Sequence, residues 1–245
     1  MMTDRPIPEF SDPDFRTVDI RDCGEPVLLL RPCSRIHIYP AYHARGLTTA
    51  DPSIRLRTGV IEALRGASMT LPNGMNIVVY DGLRSLQTQK EIADRFAAML
   101  ADVPMPEEER AATISRFVAP LPVTQEDYQA APPAHSTGAA VDVGLAGDDG
   151  GFVDLGADFD QFDETAGTTY YENLCRSAIC SAEDLARRNR RRILYWAMID
   201  AGFAPYPAEY WHFELGTRRA AAFQGDTSAK YGAIAPWPKK RAAAA

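Results

Sequence analysis

The chain has 245 residues with a formal net charge of −7, 46% hydrophobic and 24% charged, the balance of a globular protein long enough for one large domain or two small ones. An acidic balance argues against nucleic-acid partners, whose readers concentrate Lys and Arg on one face. No apolar run approaches the roughly 20 residues of a membrane helix. The polar start "MMTDRPIPEFSDPDF" lacks the basic region and apolar core of a signal peptide, so no membrane partner and a cytoplasmic location are expected.

Residues 1–50 are rich in Pro, Asp and Arg, and the short runs "PVLLLRP" and "SRIHIYP" predict an irregular arm with one or two strands lying on the body. From Asp51, "DPSIRLRTGVIEALRGA" has a helical pattern, with Asp51 and Ser53 available as caps and Pro52 early, where helices tolerate it. "GMNIVVYDG" predicts a buried strand. "SLQTQKEIADRFAAMLADV" predicts an amphipathic helix with Leu86, Ile92, Phe96, Ala97 and Leu100 along one side. "PEEERAATISRFVA" is another helix with acids in its first turn, where the macrodipole favours them.

The proline-rich "APLPVTQEDYQAAPPA" reads as a connection, "AAVDVGL" as a strand and "GGFVDLGADFDQFDE" as an acidic loop. "SAEDLARRNRRRILYWAMIDAGF" is the clearest helix, with Ser181 as cap, Gly202 after its end and the basic run Arg187 to Arg192 as a solvated face. "AEYWHFELG" is an aromatic strand. Helices cluster around strands rather than alternating with them, which favours an α+β fold. The division expected is an arm over residues 1–50, a body over 51–235 and a frayed tail over 236–245. Cys23, Cys33, Cys175 and Cys180 form no CxxC pair and read as reduced thiols.

Only four histidines are present: His37, His43, His135 and His212. His135 and Asp142 share "HSTGAAVD", where Gly138 permits a turn that lets both side chains face one site. Zinc accepts imidazole nitrogen and carboxylate oxygen at about 2.0–2.2 Å, and a catalytic site needs three ligands and an open position. His212, in "PAEYWHFELG", is the natural third. Glu209 precedes it by three residues, a spacing that on a flat strand puts the two on opposite faces. They meet only if the backbone bends or Glu209 stands at the strand entrance. On spacing alone, a metal site and a loop with core histidines both remain open.

The combination of "HSTGAAVD", "EYWHFELG" and the upstream "YDGLRS" resembles the zinc D-alanyl-D-alanine dipeptidases of the vancomycin-resistance type. Their pattern is S-x-H-x-x-G-x-A-x-D, then E-W-W-H, with D-G-Y-R-P upstream. The resemblance runs from about residue 55 to about residue 216, is strongest from His135 onward, and is poor in the first fifty residues. It implies an α+β, hedgehog-like fold with a central, mostly antiparallel sheet flanked by helices, and a catalytic domain over 51–235. It further implies one zinc ion per chain on His135, Asp142 and His212, with Glu209 as general base and Arg84 as oxyanion stabiliser. Asp160 is implied to meet the substrate's amino group, and Tyr210, standing where the family has the first tryptophan of its second motif, is the other substrate-binding residue implied.

Three departures bear on specificity. Pro133 replaces the family serine two residues before the zinc histidine and offers neither hydroxyl nor backbone N–H. Ser85 replaces the proline after the arginine. "RIHIYPAYHARG" stands where the family has a segment that closes over substrate. The function implied is zinc-dependent hydrolysis of a small dipeptide or amide, D-Ala-D-Ala first. The alternatives are an amidase or peptidase tailoring a secondary metabolite on the same site, and a non-catalytic zinc-binding module.

Overall fold

The computed structural model describes residues 2–177 and 180–234, so the tail expected over 236–245 lies outside the described residues. The first fifty residues carry β1 (Asp19–Ile20), β2 (Val27–Leu29) and β3 (Ile36–Ile38), then the short helix α1 (Ala41–Ala44). Next come β4 (Arg55–Arg57), α2 (Thr58–Thr70), β5 (Asn76–Asp81), α3 (Leu86–Ala101) and α4 (Glu107–Phe117). Then follow α5 (Gln125–Ala130), β6 (Ala140–Ala146), α6 (Tyr170–Arg176), α7 (Ala182–Asp200), β7 (Ala204–Tyr206), β8 (Glu209–Glu214), α8 (Arg218–Gln224) and β9 (Ser228–Ala229).

The fold is α+β. Its main sheet has the order β3-β5-β6-β8-β7; only β3–β5 is parallel and the other pairings are antiparallel. Every residue of β6 is buried, because the sheet is covered on both faces. α2 packs on α7, and α7 packs on β7 and β8. Neither helix lines the cleft that holds His135, Asp142 and His212, which α3, α4 and α8 help to form. Side-chain caps fix the starts of α3 and α7. Ser85 accepts from the Thr88 N–H, and Ser181 with Asp184 forms a capping box at α7.

Four features differ from the sequence reading. The stretch from Asp51 is not helical throughout: Arg55–Arg57 is extended because it pairs antiparallel with β2. α2 therefore starts at Thr58 without a side-chain cap. The proline-rich connection holds α5, started by a Thr124–Asp127 capping box. The basic run is only partly solvated. Arg191 is buried and donates to the carbonyls of Leu155, Gly167 and Thr165 at 2.7, 2.7 and 2.6 Å, and Arg192 pairs with buried Glu172 at 2.6 Å. Finally, Cys175 and Cys180 form a disulfide rather than two free thiols.

Glu172 also ties down the arm. It accepts from the Ile7 N–H at 3.0 Å while Arg192 donates to the Thr3 carbonyl at 2.7 Å. Burial alone would raise this carboxyl, but Arg192 and the Ile7 N–H hold it below its ordinary range. Its stabilisation is therefore complete above the ordinary carboxylate range and is lost as pH falls through the depressed folded value. Glu172→Gln is expected to cost roughly 3–5 kcal/mol by leaving Arg192 buried without its counter-charge. Urea titrations at falling pH check both points: the wild-type midpoint drops in acid, and the variant starts lower and drops less.

Candidate metal centre and cleft

β6 and β8 pair so that Asp142 stands opposite His212, which sends both side chains to one face of the sheet. His135 arrives from the 3-10 turn Ala134–Thr137, ended by Gly138 at φ 69°, where a side chain would be strained and 3.2 Å from Val27. The turn is lashed to the chain leaving β5. The Arg84 N–H donates to the His135 carbonyl and the Ser136 hydroxyl to the Arg84 carbonyl, both at 3.2 Å. His135 Nδ1 lies 2.8 Å from the Gly82 carbonyl. Gly82 is required there, because a Cβ would stand 2.8 Å from the Arg55 carbonyl.

One donor atom from each of His135, Asp142 and His212 lies within 4.8 Å of the others, and all three residues are buried. His135 Nε2 is 3.2 Å from His212 Nδ1 and 3.3 Å from an Asp142 oxygen, and the other Asp142 oxygen is 3.0 Å from His212 Nδ1. A carbonyl can only accept, so His135 carries its proton on Nδ1 and turns a bare Nε2 to the cluster. The spot demands positive charge. Burial opposes a charged His212, yet Asp142 and Glu214 push its pKa up to about 10. A metal cation answers the same demand, and two imidazole nitrogens with one carboxylate are a donor set zinc accepts.

Glu209 lines the same cleft as His212 despite the three-residue spacing. It is the first residue of β8, and the β7–β8 register shifts between Pro205 and Tyr206, leaving Tyr206 opposite Glu209. That irregularity is the bend the spacing required. Burial pushes the Glu209 carboxyl up to about 8, with Asp142 and Asp160 adding to the shift and His212 and Arg84 opposing it.

Arg84 is buried at the cleft wall. It donates to Asp81 at 2.8 Å, Gln89 at 2.9 Å, Asp142 at 3.2 Å and the Tyr42 hydroxyl at 3.3 Å. Burial works against its charge, but Tyr42 and the surrounding acids raise its pKa and keep it protonated.

The cleft holds about 340 Å³ and is also lined by Pro133 and Asp160. Asp160 sits at φ 63°, the one non-glycine residue in the left-handed region among the described residues, a cost retained where the side chain must be aimed. It accepts from the Tyr42 hydroxyl at 3.0 Å and from Arg45 at 3.3 Å. Burial raises its carboxyl to about 6 against the pull of Arg84 and Arg45.

Tyr210 is the expected site residue that the fold does not bring in. Adjacent to Glu209 on the strand, it points the other way. Its hydroxyl donates to the Ala157 carbonyl at 2.8 Å, and the Arg191 guanidinium lies 4.2 Å from its ring. Sequence reasoning missed Tyr42, Gln89 and Glu214. Glu214 had a signal, since a residue two after His212 on a strand shares its face; Tyr42 had none.

Residues 42–227 match the peptidase family described as D-Ala-D-Ala dipeptidase. A D-alanyl-D-alanine dipeptidase of Synechocystis sp. is 30% identical over 221 residues, covering 82% of this chain and 86% of that protein. One from Escherichia coli is 29% identical over 161 residues, covering 65% of this chain and 66% of its own length. A solved vancomycin-resistance D,D-pentapeptidase in complex with Zn(II) overlaps 87% of this chain and 96% of its own, at 15% identity and a TM-score of 0.38.

Proposed function

The chain belongs to the D-Ala-D-Ala dipeptidase family of zinc metallopeptidases, and on that premise we propose that it hydrolyses the amide bond of a small dipeptide or related amide, D-Ala-D-Ala first. The observation that carries this is the convergence of His135, Asp142 and His212 in a cleft that Glu209 and Arg84 also line. Zinc held by the first three would supply a Lewis acid that polarises water and the scissile carbonyl. Glu209 takes the proton of the attacking water and passes it to the leaving amine. Arg84, its guanidinium fixed by Asp81 and Gln89, stabilises the oxygen on which negative charge develops. Lysine offers a point charge without that fixed fork. Arg84→Lys is therefore expected to lower kcat about a hundredfold with little change in KM, read by steady-state kinetics.

Asp160 receives the substrate's amino group in this reading. A tailoring amidase on the same site is the second reading, favoured by Pro133 and by the Arg45 cation already beside Asp160. Zinc-loaded protein offered D-Ala-D-Ala and its N-acetylated form separates them: free D-alanine from the unblocked dipeptide supports the first, and cleavage of the blocked form alone supports the second. No helix among the described residues is long and apolar enough to cross a membrane. The sequence leads to a cytoplasmic expectation, with cell-wall dipeptides as the substrate class. The Cys175–Cys180 disulfide favours an oxidising compartment instead, and cell fractionation decides.

A further inference from the structure

We propose that Glu214 is the positioning residue for His212, and that the N-terminal arm holds Glu214 in place through Asp12 and Arg219. The inference rests on the reading above only for the identity of the metal ligands. Glu214 lies two residues after His212 on β8, so both side chains leave the same face. Its carboxylate is 3.0 Å from His212 Nε2. An ionised carboxylate only accepts, so this contact keeps hydrogen on Nε2 and leaves Nδ1 as the nitrogen turned toward Asp142 and His135. A ligand ring supported this way has its tilt set before the ion arrives, and the Nε2 hydrogen stays in place when Nδ1 gives up its own to the ion.

Glu214 is itself held. The Thr217 hydroxyl donates to its second oxygen, and the Arg219 guanidinium stands 3.3 Å from the oxygen that faces His212. Arg219 lies between the rings of Tyr206 and Phe15, at 4.3 and 5.1 Å, and 3.4 Å from Asp12. Among the described residues its buried Nε has no hydrogen-bond partner, so it acts on the two acids through charge. Asp12 and Phe15 belong to the arm, outside the residues that match the family, and both line the cleft. The arm thereby reaches the metal centre by the path Asp12, Arg219, Glu214, His212. The path needs no backbone movement, since each step is already in contact.

The experiment measures zinc affinity by competition with a chromogenic chelator, with no substrate present, in wild type, Glu214→Gln, Arg219→Gln and Asp12→Asn. Circular dichroism and the melting temperature of the zinc-free proteins are recorded alongside. Glu214→Gln is expected to weaken zinc binding about 10- to 100-fold, and saturating zinc to restore most of the turnover. The two more exposed variants are expected to weaken it several-fold with melting temperatures near wild type. A folded Glu214→Gln that binds zinc as wild type does would overturn the positioning role. Should that variant fail to fold, Arg219→Gln decides: unchanged affinity overturns the path. Unchanged affinity in Asp12→Asn removes the arm from it. Wild type that binds no zinc would sink the ligand assignment itself, whereas zinc binding without any hydrolysis would sink only the proposed activity.

Discussion

Glu209→Gln is expected to lower kcat by about three orders of magnitude while zinc content stays at one ion per chain. Glutamine keeps the volume of the side chain but cannot take a proton from water, so the loss falls on the chemical step. KM is expected to change little, because the group bears on the transition state more than on the bound substrate. Two structural facts support the assignment. The β7–β8 register shift brings Glu209 into the cleft with His212, and burial raises the proton affinity of its carboxyl toward that of a useful base. Paired metal analysis and steady-state kinetics check the prediction. A Glu209→Gln protein that turns over like wild type would remove the residue from the mechanism.

His135→Ala is the second large effect. The substitution removes one of three donors and also the bond that ties the turn to Gly82 at 2.8 Å. Zinc affinity is expected to fall by more than the roughly hundredfold that losing a supporting partner costs, and turnover to fall with it. Saturating zinc should not restore activity, which separates this variant from Glu214→Gln. Folding should survive, since Ser136 and the Arg84 N–H still bridge the two segments. Metal content after gel filtration and turnover with added zinc are the measurements.

Much of the cleft was legible because its chemistry is local. His135 and Asp142 lie seven residues apart around a glycine that must be left-handed, and the aromatic run around His212 reads as a strand without help from the fold. The odd spacing of Glu209 even announced the irregularity later found between Pro205 and Tyr206. What escaped depends on distant partners. Arg55–Arg57 sits in a helical pattern and becomes a strand only by pairing with Val27–Leu29. Arg191 and Arg192 look like their solvated neighbours until the carbonyls of the acidic loop and the carboxylate of Glu172 are placed beside them. α5, α6 and α8 have six or seven residues each, too few for a 3.6-residue period to show. Tyr42 meets Asp160 and Arg84 only because α1 packs on β5, a contact that no local spacing announces.

In the proposed reaction one cleft joins a zinc site to a carboxylate base for amide hydrolysis. The most direct test follows D-alanine release from D-Ala-D-Ala by zinc-loaded wild type, by the same protein after chelation, and after zinc is returned. Release is expected, with its loss on chelation and its recovery when zinc returns. Folded, zinc-loaded protein that cleaves neither D-Ala-D-Ala nor any other small dipeptide or amide would contradict it.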